Sequence, residues 1–321
     1  MTATEAMARR TRADAIAADW IAVDWGTSRL RGWAMTADGA VIAARQSGQG
    51  MGDLAADQFE DRFLEMIAGW ADPDATTRAI VCGMAGAREG WVEAGYRSAP
   101  AVLGTPTAAT IAPTRSARLR VYILAGVSQA DPPDVMRGEE TQIAGLMATQ
   151  PDFDGWIVLP GTHTKWARVD GGRLRHFFTC MTGELFQLLG SHSILRRLVH
   201  AENSISESDW NLEQFDDAVQ GALADPAGLT RRLFGLRARA LLRGLDGRAA
   251  RARLSGELIG AEVSYGLRSV SGPPIALIGA DALCALYRRA FAQVGVHAET
   301  HSAEAMTLAG LSAAWEGLKY A

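Results

Sequence analysis

Two short segments place glycine and hydroxyl side chains directly after an apolar run, at residues 24–28 (DWGTS) and 161–165 (GTHTK). Glycine at a tight turn lets the backbone approach a phosphate closely, and hydroxyls add donors. Asp24 adds a carboxylate suited to hydrated Mg²⁺, and Lys165 adds a compact cation suited to β- and γ-phosphates. Either segment alone fits an ordinary hairpin. Their pairing in one chain favours phosphate binding by Gly26, Thr27, Ser28, Gly161, Thr162, His163, Thr164 and Lys165.

A pair of acids, Glu139 and Glu140, follows Gly138 between these two segments. Acids at a helix start often serve only the helix dipole. A carboxylate there can also act as the general base that orients a hydroxyl for attack on a γ-phosphate. Phosphoryl transfer depends mainly on positioning and charge neutralisation, so one such base, together with Mg²⁺ and two donor turns, suffices. The sequence leaves the choice of base open, with Glu140 preferred and Asp24 assisting as metal ligand.

Two further features suit the rest of a substrate. Gly279 and Ala280 follow a short apolar run, and a turn of small residues lets a flat base lie against the backbone. Arg88 lies in a glycine-rich loop and can pair bidentately with a carboxylate. Together with Arg31 and Arg137 it makes up the predicted substrate-binding set. An ordinary strand-to-helix turn and a surface ion pair are the alternative interpretations.

The elements that carry these segments occur in the same order twice. Strand-like runs at 20–24, 30–36 and 40–45 precede alternating helices and strands, and a second set begins at residue 156. This order predicts an α/β fold with a mixed sheet in each half, with a break near 148–154. Residues 100–118 are expected to form a loop. The predicted divisions are a flexible tail at 1–18, a domain at 19–148, and a domain at 149–321 with a helical insertion at about 182–267.

Composition narrows the class of protein. The chain has 321 residues, 48% of them hydrophobic, and a formal net charge of −4. That charge gives no general electrostatic case for nucleic acid or an anionic membrane. No window reaches the length of a membrane span, and residues 1–18 lack the apolar segment of a secretory signal. The three cysteines are far apart and odd in number, which favours reduced thiols and a cytoplasmic location.

In this order the segments resemble the actin-like (ribonuclease H-like) superfamily of sugar kinases and heat-shock ATPases. More narrowly, the strings IAVDWGTSRLRGW, CGMAGAREGW, RGEETQIAGL and LPGTHTKW resemble the 2-dehydro-3-deoxygalactonokinase family, from about residue 19 to the end. The resemblance implies two actin-like domains, each a mixed five-stranded sheet with flanking helices, around a central cleft. It also implies ATP- and Mg²⁺-dependent phosphorylation of the 6-hydroxyl of 2-dehydro-3-deoxy-D-galactonate in galactonate catabolism.

The sequence leaves two other functions open. One is an exopolyphosphatase-like phosphohydrolase of the same superfamily, and the other is a non-catalytic ATP-binding sensor of sugar acids. The Lys165 segment and the Gly279 turn favour bound ATP, and therefore a kinase. The expected partners are a small sugar acid and ATP, and a homodimer is compatible with the sequence. The galacto or gluco configuration of the acid depends on one hydroxyl and is not distinguished.

Overall fold

The computed structural model describes residues 16–72, 74–104, 109–199, 210–270 and 274–319. They divide into two compact units: the first comprises the described parts of Met1–Phe153, Gly172–Arg175 and Glu304–Ala321, and the second Asp154–Gly171 and His176–Ala303. Most of the predicted tail lies outside the described residues. Residues 16–18 are hydrogen-bonded to the rest of the first unit, because the N–H groups of Ile16 and Ala18 donate to the carbonyls of Gly69 and Trp70.

Strands and helices follow closely the order that the sequence predicts. The strands of the first unit are β1 Trp20–Trp25, β2 Leu30–Met35, β3 Val41–Ser47, β4 Thr77–Gly83, β5 Tyr96–Ser98, β6 Thr110–Ile111, β7 Leu119–Ile123, β8 Gly126–Ala130 and β9 Pro133–Met136. Further along the chain lie β10 Gly155–Leu159, β11 Thr164–Asp170, β12 Arg173–Cys180, β13 Ile275–Gly279 and β14 Ala298–Ser302. The helices are α1 Phe59–Met66, α2 Glu139–Thr149, α3 Thr182–His192, α4 Arg196–Val199, α5 Leu212–Ala224, α6 Leu229–Arg243, α7 Gly247–Ser269, α8 Asp281–Ala292 and α9 Ala303–Lys319.

A mixed sheet in the order β3-β2-β1-β4-β7-β6 forms the centre of the first unit. β1 pairs antiparallel with β2 and parallel with β4. The sheet has six strands rather than the predicted five. The extra strand is β6, a two-residue edge strand inside the segment 100–118 that the sequence predicts as loop. Two residues are too few to show the alternation by which strands are recognised.

Alternate side chains of β1 are buried on opposite faces of this sheet, as the two-residue period of a strand requires. Val23 belongs to the core formed with α1, whereas Trp20 belongs to the core formed with α9. The indole of Trp20 stacks on that of Trp315, with ring centroids 5.0 Å apart. This packing places residues 304–319 with the first unit, although the predicted division assigned 149–321 to the second domain.

Helices α2 and α9 approach each other at two glycines. A Cβ atom on Gly145 would overlap the carbonyl oxygen of Met306, and one on Gly310 would overlap that of Thr141. Glycine therefore allows backbone-to-backbone contact that any other residue would prevent. The contact fixes the position of the first turn of α2, which carries both candidate bases.

A small sheet in the order β5-β8-β9 also belongs to the first unit and is not predicted from the sequence. Its strands are short and partly exposed, so they lack a clear apolar alternation. β9 ends at Met136, directly before Arg137. The small sheet therefore leads the chain into the start of α2.

The second sheet has the order β12-β11-β10-β13-β14, with β10 antiparallel to β11 and parallel to β13. This repeats the order β3-β2-β1-β4-β7 and confirms the predicted pair of mixed α/β sheets. Helices α3 to α7 lie between β12 and β13 in the chain, where the helical insertion is predicted. In the described parts of the chain, no helix combines the length and the apolar character needed to span a membrane.

Candidate active site

The first glycine-threonine segment forms the turn from β1 to β2. The N–H of Gly26 donates to the carbonyl of Arg29 at 2.9 Å. The N–H groups of Met51 and Gly52 donate to the carbonyls of Gly26 and Thr27, each at 3.0 Å, so a second backbone segment braces the turn. The side chains of Thr27 and Ser28 are exposed at its tip. The hydroxyls of Thr27 and Ser28 are therefore accessible, and their contact with a phosphate stays a prediction.

Asp24 lies near the end of β1, beside Cys82 of β4. Its Oδ2 accepts a hydrogen bond from Nη2 of Arg31 at 2.5 Å, and its Oδ1 lies 3.9 Å from Sγ of Cys82. Burial raises the pKa of the Cys82 thiol, and the charges of Asp24 and Glu140 raise it further. Both carboxylates therefore lie close to the same thiol.

Asp24 can contribute a single carboxylate ligand to Mg²⁺. Among the described residues, no group of three or more His, Cys, Asp or Glu side chains is arranged to hold a metal. Mg²⁺ in phosphotransferases usually takes one or two carboxylates and completes its octahedron with waters and substrate phosphates. Oδ1 of Asp24 is not engaged by Arg31, so this residue can supply such a single carboxylate ligand.

The start of α2 lies at the end of β4. Gly138 has a φ of +109°, and its Cβ position is only 3.4 Å from Cα of Gly83, the last residue of β4. Because β4 pairs with β1, this contact brings the candidate bases to the same sheet edge as Asp24. Sequence proximity alone does not reveal it, since more than a hundred residues separate Asp24 from Glu140.

Glu140 and Glu139 have different surroundings. Glu140 is buried, with Oε2 accepting from the N–H of Gly138 at 2.7 Å and Oε1 accepting from the hydroxyl of Thr141 at 3.3 Å. Burial, and then the charge of Glu139, raise the pKa of Glu140 to about 8. Glu139 is only partly buried and accepts from the N–H of Arg137 at 3.1 Å. A carboxyl that exchanges a proton near neutral pH suits general acid–base chemistry.

Arg97 lies in this region and is not predicted from the sequence. It lines a small cavity of about 30 Å³ together with Glu140 and Thr141. Its Nη1 donates to the carbonyl of Val102 at 2.6 Å. Burial lowers the pKa of its guanidinium, and the charge of Glu140 opposes that effect. Arg97 belongs to β5, a strand without a clear sequence pattern, so no local signal marks it.

The three predicted substrate-binding arginines have different environments. Arg31 is paired with Asp24, and Arg88 is largely exposed, 3.8 Å from Glu93. The guanidinium of Arg137 lies 4.3 Å from the centre of the Tyr96 ring, and its Nη2 donates to the carbonyl of Gly95 at 2.9 Å. Nε and Nη1 of Arg137 are buried and have no hydrogen-bond partner among the described residues. Arg137 therefore carries two buried donors that a ligand can satisfy.

The second glycine-threonine segment forms the turn from β10 to β11 in the second unit. The start of α3 packs against it, because a Cβ on Gly183 would overlap the carbonyl oxygen of Gly161. The N–H of Glu184 donates to the carbonyl of Thr162 at 2.9 Å, and the Glu184 carboxylate lies 2.5 Å from Nε2 of His163. Thr162 and His163 are exposed at the tip. The two turns are thus alike in structure.

The other two predicted residues of this segment point inward. Lys165 is buried, with Nζ donating to the hydroxyl of Thr179 at 2.9 Å. Thr164 is buried as well, and its hydroxyl lies 3.0 Å from that of Tyr287. Both side chains therefore pack on the buried side of the turn. Direct contact with a phosphate remains a prediction for them.

A cavity of about 280 Å³ borders the second turn within the same unit. Gly161 and Thr162 form part of its wall, and most of the remainder is apolar; it includes Phe186, Trp210, Leu258, Ile259, Leu283 and Leu286. Gly279 ends β13 beside this turn, since its Cβ position is 3.5 Å from the carbonyl oxygen of Pro160. Ala280 then precedes α8. The predicted phosphate turn and the predicted base-binding turn are therefore neighbours.

Two similarly ordered mixed sheets, each with such a turn, define the class of actin-like ATPases and sugar kinases. At the level of fold, the activator of 2-hydroxyisocaproyl-CoA dehydratase from Clostridium difficile matches with a TM-score of 0.50 at 12% identity, covering 94% of this chain and 97% of that chain. The family itself is shown by sequence. The chain belongs to the 2-keto-3-deoxy-galactonokinase family, whose model matches residues 24–314. The resemblance found in the sequence motifs is confirmed.

Curated relatives agree with this family. The chain is 41% identical over 301 residues to "Probable 2-dehydro-3-deoxygalactonokinase DgoK1" of Rhizobium meliloti (strain 1021), covering 92% of this chain and 96% of the relative. It is 34% identical over 282 residues to the 2-dehydro-3-deoxygalactonokinase of Escherichia coli (strain K12), covering 87% and 91%. The crystal structure of a candidate 2-dehydro-3-deoxygalactonokinase from Sinorhizobium meliloti matches with a TM-score of 0.84 at 39% identity, covering 93% of this chain and 99% of that chain.

Proposed function

We propose that this protein is a kinase that transfers the γ-phosphate of ATP to the 6-hydroxyl of 2-dehydro-3-deoxy-D-galactonate, a step of galactonate catabolism. Family membership and the two curated relatives support this activity. The structural observation that carries it is the buried carboxyl of Glu140, placed at the sheet edge of Asp24 and with its pKa raised to about 8. Neither alternative function has comparable support.

In the proposed reaction Glu140 is the general base. Its carboxylate takes the proton of the 6-hydroxyl while that oxygen forms a bond to the γ-phosphorus. The bond from the γ-phosphorus to the β–γ bridging oxygen breaks, and ADP leaves with the electron pair. Glu140 ends the step protonated, which its burial favours. Asp24 would hold Mg²⁺, whose charge would offset negative charge on the phosphates.

The first turn contributes donors to the phosphates. Gly26 allows close approach of the backbone, and the exposed hydroxyls of Thr27 and Ser28 can donate to phosphate oxygens. Arg31 neutralises one oxygen of Asp24 and so leaves the other for the metal. We assign these residues to phosphate and metal binding, and Glu139 to tuning of the pKa of Glu140.

The second unit would hold the nucleotide. We assign the phosphates to Gly161, Thr162 and His163 at the turn, with Lys165 and Thr164 supporting it from below. The adenine ring fits the largely apolar cavity that borders this turn, because ligand pockets are mostly apolar with a few polar groups. Gly279 and Ala280, next to the same turn, would let the nucleoside lie close to the backbone.

Arg137 is the proposed ligand of the sugar-acid carboxylate. Its Nε and Nη1 are both buried without a partner among the described residues, and a carboxylate oxygen would accept a charge-assisted hydrogen bond from either of them. Stacking on Tyr96 holds the guanidinium plane in place. A lysine cannot reproduce this geometry.

Arg137→Lys tests that assignment, with Arg88→Lys as the matched control. We expect the first variant to raise KM for the sugar acid by about tenfold or more, since a charge-assisted hydrogen bond is lost. KM for ATP should stay the same. The control replaces an exposed arginine and should leave both constants unchanged. An increase in KM for the acid in Arg88→Lys alone would transfer the role to Arg88.

The activity itself is tested by ADP release with purified protein. The panel contains 2-keto-3-deoxy sugar acids of galacto and gluco configuration, each with and without Mg²⁺, and inorganic polyphosphate without ATP. We expect ADP release that requires both a sugar acid and Mg²⁺. Release independent of any acid would contradict a kinase, and hydrolysis of polyphosphate would favour the phosphohydrolase.

The cellular location and the oligomeric state of the protein belong to the same proposal. We propose a cytoplasmic location, because the substrate ATP is supplied there and the three cysteines are free thiols. A homodimer stays a prediction, which light scattering of the purified protein tests.

A further inference from the structure

A buried carboxylate, Glu262 of α7, lies behind the second turn. Its Oε1 accepts a hydrogen bond from Nε1 of Trp166 at 2.7 Å. Its Oε2 accepts from the hydroxyl of Tyr287 at 2.8 Å and from the hydroxyl of Thr182. Three donors from three elements, β11, α3 and α8, therefore converge on the carboxylate of Glu262.

The direction of these hydrogen bonds extends the network to a fourth residue. The hydroxyl of Tyr287 donates its hydrogen bond to Glu262. Its oxygen, 3.0 Å from that of the Thr164 hydroxyl, therefore accepts from Thr164. An ionised carboxylate only accepts, and it thereby orients every hydroxyl in the chain of bonds. Glu262 thus determines how Thr164, the first residue after the turn, is held.

The elements joined by Glu262 are those that shape the turn itself. Thr164 and Trp166 belong to the strand that leaves it, and Thr182 directly precedes Gly183, which packs against the carbonyl of Gly161. A buried charge is weak evidence for stability, because apolar residues often fill such a position equally well. What distinguishes Glu262 is that its donors belong to the elements that form the second turn.

We propose that Glu262 is a positioning residue for ATP, acting through Thr164, Trp166 and Thr182 on the backbone of the second turn. This inference rests on the proposed binding of ATP phosphates to Gly161 and Thr162. Glu262 does not touch the nucleotide in this account, because both of its carboxylate oxygens accept from side-chain donors of the protein.

The same helix supplies a matched control. Glu257 is also buried in α7, and it pairs with Nε of Arg232 in α6 at 2.5 Å. Its partner lies in the helical insertion and not on the strand that leaves the turn. Glu257→Gln therefore removes a buried charge from α7 without altering the donors that hold the turn.

The experiment compares Glu262→Gln, Tyr287→Phe and Glu257→Gln by ATP titration, steady-state kinetics and urea unfolding. We expect Glu262→Gln and Tyr287→Phe each to weaken ATP binding, with the Kd for ATP about tenfold higher after Glu262→Gln. KM for the sugar acid should not change. Glu257→Gln should lower the unfolding midpoint and leave the Kd for ATP within about twofold of the wild-type value.

The double variant Glu262→Gln/Tyr287→Phe should bind ATP no more weakly than the weaker single variant, since both act through one network. Wild-type affinity in Tyr287→Phe, or equal losses in Glu262→Gln and Glu257→Gln, would overturn the inference; if Glu262→Gln does not fold, Tyr287→Phe decides. ATP binding without transfer to any sugar acid would contradict only the proposed function. Absence of ATP binding by the wild-type protein would contradict both.

Discussion

Replacement of Glu140 by glutamine separates the chemical role of this residue from its structural one. In the native chain the carboxylate accepts from the N–H of Gly138 and from the hydroxyl of Thr141. A glutamine oxygen can keep the first bond, and its amide nitrogen can donate to Oγ1 of Thr141 in place of the second. The variant should therefore fold with the start of α2 unchanged while losing the base.

Two effects of Glu140→Gln can be estimated. Loss of a general base typically lowers kcat by about 10²- to 10⁴-fold. The gap between the ordinary pKa of 4.5 and about 8 in the folded chain corresponds to roughly 5 kcal/mol, since each pKa unit is worth about 1.4 kcal/mol. Because the folded pKa is raised, this stabilisation is complete below 4.5 and is lost as pH rises through about 8.

The assays are coupled ADP release and urea unfolding between pH 5.5 and 9. The kcat/KM of the wild-type protein should rise about tenfold per pH unit below about 8 and then level off. Glu140→Gln should gain stability relative to wild type as pH increases, by at most about 5 kcal/mol at pH 9. Retention of more than a tenth of wild-type activity would refute the base assignment. Parallel pH dependences of unfolding would refute the raised pKa.

Three further predictions follow from the packing. Glu139→Gln removes a charge that raises the pKa of Glu140, so the acidic limb of kcat/KM should move to lower pH, and an unmoved limb would contradict this coupling. Gly310→Ala should destabilise the fold by about 1–3 kcal/mol and lower kcat, because its Cβ would overlap the carbonyl of Thr141. The control is Gly235→Ala, where nothing lies within 4 Å of the Cβ position, and it should not destabilise the fold. Gln187→Trp at the wall of the cavity beside the second turn should raise KM for ATP and leave KM for the sugar acid unchanged. The reverse pattern would place the sugar acid there.

Local patterns in the sequence predict much of this fold. The apolar runs at Ile21–Val23 and Ile157–Leu159 each lead into a glycine turn, and both become central strands, β1 and β10. Each then pairs with the following strand as a hairpin, so the repeated order could be predicted without any long-range information. The exposed tips of both turns follow from the same local chemistry.

Contacts between distant residues account for what the sequence does not predict. The position of α9 depends on Trp315 stacking on Trp20, nearly three hundred residues away, and so the predicted domain boundary differs from the compact units. The contrast between Glu139 and Glu140 arises from the burial of Glu140 at the start of α2, where Gly138 approaches Gly83, and adjacent sequence cannot reveal that contact. Arg97 and Glu262 are not predicted from the sequence for the same reason, since their partners come from other elements.

The central claim is that this chain phosphorylates a 2-keto-3-deoxy sugar acid at its terminal hydroxyl. Phosphorus-31 and proton NMR of the product formed from ATP, Mg²⁺ and 2-dehydro-3-deoxy-D-galactonate test it directly. We predict a phosphate ester whose phosphorus couples to the two protons on C6, formed in equal amount with ADP. Inorganic phosphate as the main phosphorus product, or an ester at another carbon, would contradict the account.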